Sequence, residues 1–159
     1  MRMKGKKVIF SYNDTFNLDM VLAPVIKEAL VKYRDVIAKR NDEGEIFGVP
    51  VWCYGGGGDA HFSSLEDADD KAAVEHLLSC LDEMIFGFSG EEEGKPDPKD
   101  YGISFDFQYV DRGDGTAVRA FVRDESEDMD GWRKAIDDWQ ARKEAGRAMF
   151  AKHLHSLWW

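Results

Sequence analysis

The chain has 159 residues, of which 43% are hydrophobic and 13% aromatic, enough to bury a sizeable core and to exclude wholesale disorder. Its 31 acidic against 21 basic side chains give a formal charge of −10, which argues against general nucleic-acid binding, because phosphate neutralisation needs a surplus of Lys and Arg. No apolar run approaches the roughly 18 residues of a membrane span and no signal peptide is recognised, so one soluble domain over residues 1–159, in the cytoplasm, is expected.

The basic start from Met1 to Lys7 leads into a short strand candidate, Val8 to Tyr12, and Asn13-Asp14-Thr15 offers a helix cap. From Leu18 the apolar residues Val21, Leu22, Val25, Ile26, Ala29, Leu30, Tyr33, Val36 and Ile37 recur at three-and-four spacing, which predicts a long first helix with one apolar face. Pro24 removes a backbone donor, so a kink or a fresh helix start at Ala23 is expected there. Ile46 to Tyr54, broken by Gly48 and Pro50, reads as an edge strand or an extended connection. Gly55 to Gly58 reads as a turn.

A second helix is predicted from about Asp67 to Phe88, with Ala73, Val74, Leu77, Leu78, Leu81, Met84, Ile85 and Phe88 on its apolar face. An acidic loop follows over about 89–101. Ile103 to Tyr109 alternates strictly, Asp114-Gly115 turns, and Thr116 to Arg123 returns, which predicts a hairpin over about 103–123. A last long helix opens at Met129 or Asp130 and runs to the C-terminus, carrying Trp132, Ile136, Trp139, Lys143, Gly146, Phe150, Leu154 and Leu157. The fold class is α+β: three long amphipathic helices packed together with a small antiparallel β-hairpin.

The charge is local. Residues 1–54 carry +2, residues 55–100 carry −10 and residues 101–159 carry −2. The middle third holds Glu66, Asp67, Asp69 and Asp70, placed to oppose the positive end of the second helix dipole, and Glu91 to Glu93 in the solvated loop.

Catalytic patterns are weak. The tetraglycine lacks a following Lys-Ser or Lys-Thr, and Asp59 next to it would repel a phosphate. His153 and His155 lie two apart on a helix and point away from each other, while Cys53 and Cys80 have no partner at ligand spacing, so neither a metal nor a cofactor is expected. Asp82 and Glu83 beside the second apolar stripe suit acid–base chemistry, but read more simply as boundary residues paired with basic side chains of a neighbouring helix. Enzymatic activity is therefore unsupported. The aromatic surplus points to binding. Trp52, Tyr54 and His61 flank the glycine loop, Asn13 and Asn17 supply polar contacts, and Arg119 and Arg123 on the return strand are placed to meet phosphates. Trp158, in the terminal Leu157-Trp-Trp159, would cover a ligand, a neighbouring surface or a second subunit.

Four segments carry a family likeness: Tyr12 to Asp19 (YNDTFNLD) with Leu22 to Ile26 (LAPVI), Gly48-Val-Pro50, Leu78 to Phe88 (LSCLDEMIFGF), and Glu144 to Trp158 (EAGRAMFAKHLHSLW). Through them the chain resembles a group of tailed-bacteriophage proteins, departing from the common pattern at the hairpin and the tetraglycine. The resemblance implies a phage origin and the host cytoplasm, brings no catalytic motif, and makes counter-defence the expected role. The expected function is a non-enzymatic binder that sequesters a small polar, nucleotide-like ligand. The alternative is an acidic protein-binding inhibitor of a host factor, and a nucleotide hydrolase is the weakest reading. A homo-oligomer is a further expectation.

Overall fold

The computed structural model describes residues 2–4, 7–9, 18–44, 49–54, 67–104, 107–121 and 127–157. They form an α+β structure of three helices and antiparallel strand pairs. The chain divides into two compact units, Met1–Gly90 with Arg142–Trp159, and Glu91–Ala141. No helix among the described residues is long and apolar enough to cross a membrane.

The first unit begins with β1 (Arg2–Lys4) and β2 (Lys7–Ile9), antiparallel with Met3 opposite Val8, so the basic start is itself a strand. Helix α1 runs over Leu18–Asp42. Pro24 lies inside it, so the fresh start expected at Ala23 does not occur; the helix already begins five residues earlier, at Leu18. Lys39 and Arg40 in its last turn face the negative end of the dipole, and Gly44, at φ 76°, takes the left-handed conformation that closes it. Val51–Tyr54 forms a 3₁₀ turn rather than the expected strand or extended connection, with Cys53 N–H donating to the Pro50 carbonyl at 2.9 Å. A proline with no N–H suits the entry of such a turn better than a ladder.

Helix α2 (Asp67–Gly87) buries Ala73, Val74, Leu77, Cys80, Leu81 and Met84. Against it pack Leu30 and Ile37 of α1, Cys53 of the 3₁₀ turn, and Leu157. Helix α3 (Met129–His153) continues into a 3₁₀ turn over Leu154–Ser156. Its Arg142–His153 part belongs to the first unit and meets the end of α2 at a glycine pair. A Cβ at Gly146 would strike the Glu83 carbonyl oxygen, and one at Gly87 would stand 2.7 Å from the Arg147 nitrogen. The last carbonyl of α2, at Gly87, and those of Ser89 and Gly90 just beyond the helix receive their donors from α3. Lys143 Nζ, on a residue 5% exposed, donates to the Ser89 and Gly90 carbonyls at 2.9 Å each, and Arg147 Nε donates to the Gly87 carbonyl at 2.7 Å. Cations placed on a helix C-terminus satisfy both its open acceptors and its dipole.

In the second unit, Asp97 caps a 3₁₀ turn over Pro98–Tyr101 by accepting from Lys99 N–H at 2.9 Å, and Ile103 is buried. The predicted acidic loop is tied down: Trp132 and Trp139 donate their indole N–H groups to the Pro96 and Glu93 carbonyls at 3.3 and 3.1 Å. Strands β3 (Phe107–Asp111) and β4 (Ala117–Phe121) pair antiparallel with Tyr109 opposite Arg119. The intervening loop puts both Gly113 and Gly115 at positive φ, with Asp111 and Asp114 accepting from the Gly113 and Thr116 N–H groups.

Three substitutions test the junction. Gly146→Ala should raise helix propensity by about 1 kcal/mol yet lose about 1–2 kcal/mol net in urea unfolding, because the added methyl meets backbone. Gly90→Ala, with open space around it, should stay within about 0.5 kcal/mol of the parent. Lys143→Met keeps the stem but strips the donor from two carbonyls, and should cost about 2 kcal/mol in the same measurement.

Candidate functional site

Trp52 and Tyr54, the aromatics expected to wall a ligand site, sit on one 3₁₀ turn with their polar tips engaged. Trp52 Nε1 donates to Ser156 Oγ at 2.9 Å, and Ser156 Oγ donates in turn to the His153 carbonyl at 2.9 Å. His153 stacks on the Trp52 ring at 4.0 Å and 27°, and His76 approaches its edge at 6.0 Å. Tyr54 donates its hydroxyl to Asp70 at 2.9 Å, and its pKa is pushed up to about 12 by burial first and by Asp70 second. These aromatics clasp the end of α3 and the start of α2 to the turn between them. Arg119 lies in the second unit on β4, exposed, opposite Tyr109 in the ladder. Asn13, Asn17, His61, Arg123, Trp158 and the tetraglycine lie outside the described residues.

The carboxylates and thiols with potential reactivity, Asp82, Glu83, Cys53 and Cys80, all lie in the first unit and are engaged or buried there. Asp82 is paired in two-pronged fashion with Arg34 of α1. Glu83 receives Arg142 Nε and Nη2 at 2.9 and 2.7 Å, which holds its carboxyl below the usual range, while the same guanidinium lies 4.2 Å over the Phe86 ring. A carboxylate so held is a poor proton donor near neutrality. Burial pushes the Cys53 thiol up to about 12, with Cys80 adding to the shift, and burial raises Cys80 as well. Cys80 Sγ lies 3.8 Å from His76 Nε2. Thiols raised in this way are weak nucleophiles at neutral pH. Among the described residues no three His, Cys, Asp or Glu side chains are grouped to hold a metal ion.

What the sequence did not single out is an apolar groove in the first unit, with a volume of about 620 Å³. It arises because the apolar residues of α1 fall into two stripes rather than one face. Ile26, Leu30, Tyr33 and Ile37 are buried or half-buried and pack towards the core. Val25, Ala29, Lys32 and Val36 each lie one residue earlier, about 100° round the helix, and all four are exposed. Both stripes contribute to the groove, and the C-terminal segment adds Phe150, Leu154 and Leu157. Val25, Val36 and Leu154 are 47%, 41% and 39% exposed. Phe150 is braced from behind by Phe88, edge to face at 5.0 Å. Lys32 alone among the lining residues is charged, and it pairs with Glu28 at 3.9 Å on the helix surface. The signal was present in the sequence as adjacent apolar pairs, 25/26, 29/30 and 36/37, which a single helical face does not require.

Comparison with protein-family models, with curated proteins and with solved structures returned no match to this chain.

The clasp predicts a pH dependence. Burial first, then the neighbouring Lys152, His155 and His76, hold the His153 pKa below its ordinary 6.5. The unfolded chain therefore takes up the proton first as pH falls, so the stability tied to neutral His153 is present above about 6.5 and is lost below it, down through the lowered folded value. The melting temperature should fall between pH 7.5 and pH 5.5, and His153→Phe, which keeps a ring on Trp52 without the titration, should flatten that slope.

Proposed function

We propose that the chain is a non-enzymatic binding protein, a phage accessory factor acting in counter-defence, and that it works by holding a host protein through the α1 groove. The observation that carries this reading is the second, exposed apolar stripe of α1. It runs from Val25 to Val36, about 16 Å or three helical turns, which suits an apolar helix face with anchors three and four residues apart. A contiguous apolar surface kept open beside a core that could have been closed over it is characteristic of a contact site. The resemblance to tailed-phage proteins supplies the biological setting, the host cytoplasm. In this reading the three helices are amphipathic and packed together, with α2 as the common support.

The small-ligand reading is retained in changed form. A volume of about 620 Å³ lies in the range of small-molecule pockets. The lining suits an apolar body with one anionic group near Lys32, whereas several phosphates would require more donors than Lys32 provides. Trp52 and Tyr54 lend no support to a nucleotide, since their polar tips are already used within the fold.

The immobilised wild-type chain should retain a host protein from lysate that Ala29→Arg and Leu154→Asp lose by about tenfold or more, while Lys39→Ala, outside the stripe, retains it. A panel of nucleotides should leave the melting temperature unchanged. Capture indifferent to both groove variants would overturn the assignment of the surface, and a nucleotide-induced rise in melting temperature would return the function to small-ligand sequestration.

A further inference from the structure

We propose that in the free protein the exposed stripe of α1 is covered by a second copy of this chain, α1 lying antiparallel on α1 about a two-fold axis. This rests on the groove reading above and names the occupant that a host partner would have to displace.

Val25, Ala29, Lys32 and Val36 are spaced four, three and four apart, a pattern that reads the same in both directions. A two-fold axis passing between Leu30 and Val31 sets Val25 against Val36 of the partner subunit and Ala29 against Lys32 of the partner subunit. That is the spacing of a coiled-coil seam, in which a single polar residue selects orientation and register. Lys32 is that residue. With the helices parallel and in register it would face Lys32 of the partner subunit, and charge would meet charge. In the antiparallel arrangement its aliphatic stem lies over Ala29, the smallest side chain of the stripe, and its ammonium reaches the edge that carries Glu28.

Charge complementarity supports the same arrangement. Glu28 and Lys32 are 69% and 74% exposed and stand 3.9 Å apart within one helix, at the long limit of an ion pair. The two-fold axis allows them to exchange partners, Glu28 with Lys32 of the partner subunit and the reverse, giving two pairs per dimer. The net charge of −10 does not oppose this contact. Helix α1 carries five basic and four acidic residues, and the acidic surplus belongs to residues 55–100. A second copy therefore covers the apolar stripe and accommodates its one charge without any foreign group.

Sedimentation of the full chain tests this. The wild type should show a concentration-dependent species of twice the mass of one chain, and Ala29→Arg should remain monomeric with an unchanged circular dichroism spectrum. Glu28→Lys and Lys32→Glu should each weaken the dimer about tenfold or more, since each alone sets like charges across the seam twice. Mixing those two variants should restore the affinity, because the mixed pair again opposes Glu with Lys at both points; an effect within one helix would not be rescued by mixing. A wild type that stays monomeric, a dimer that survives Ala29→Arg, or a mixture that fails to associate overturns the proposal. If the dimer fails while Ala29→Arg still abolishes host capture, the groove reading stands alone. If the mixture associates while host capture ignores Ala29→Arg, the dimer stands and the host reading falls.

Discussion

The first unit depends on how the C-terminus of α2 is received by α3. A helix end leaves carbonyls without donors, and burying them unpaired is costly. Here the cost is avoided by two residue choices that only work together. Gly87 and Gly146 let the backbones approach, and Lys143 and Arg147, three residues before and one after Gly146, bring donors to the Gly87, Ser89 and Gly90 carbonyls. Without the glycines the ammonium would stand too far off; without the cations the close approach would bury bare acceptors. Arg142, one residue before Lys143, extends the same edge to Glu83, so a run of three basic side chains fixes one turn of α3 along the last turn of α2.

The placement of that turn determines everything further along α3. Phe150 meets Phe88 edge to face, His153 reaches Trp52, and Ser156 accepts the Trp52 indole proton. Leu154 and Leu157 are thereby set beside α1 as part of the groove. The groove is thus a consequence of the junction and clasp acting at two ends of one segment. Its apolar lining rests on a core in which Leu77, Leu81 and Met84 are fully buried, so its base has little freedom to collapse and fill the space.

Much of the fold could be read from apolar spacing, most directly for α2. Of the residues assigned to its face, Ala73, Val74, Leu77, Leu81 and Met84 are buried and Leu78, Ile85 and Phe88 half-buried, and its predicted ends fall within a residue of those observed. The apolar positions of α3 included Lys143 and Gly146, which are its two buried residues, although nothing local says what a buried lysine would donate to. Spacing could not reveal partners distant in sequence. Trp52 and Ser156 are 104 residues apart and Arg147 and Gly87 are 60 apart, so an aromatic with a free polar tip in sequence is a spoken-for strut in space. The reading of α1 failed differently. Its spacing predicts one apolar face, whereas burial divides it into two stripes a single residue apart, and hydrophobicity alone does not distinguish a residue that meets the core from one that is left open.

The uneven charge distribution explains how a chain with a charge of −10 can present a groove that is almost wholly apolar. The two segments that form the groove are poor in acid: α1 is close to neutral, and Arg142 to Leu157 holds Arg142, Lys143, Arg147 and Lys152 against Glu144 alone. Three of those four cations are engaged by Glu83 or by carbonyls at the end of α2, so they stabilise the junction rather than projecting a field. What remains at the groove is apolar surface with one exposed ion pair. On the proposed binding role, a partner would be selected there by shape and by a single charge, with little long-range steering, and its grip should depend weakly on salt, as contacts of apolar surface do.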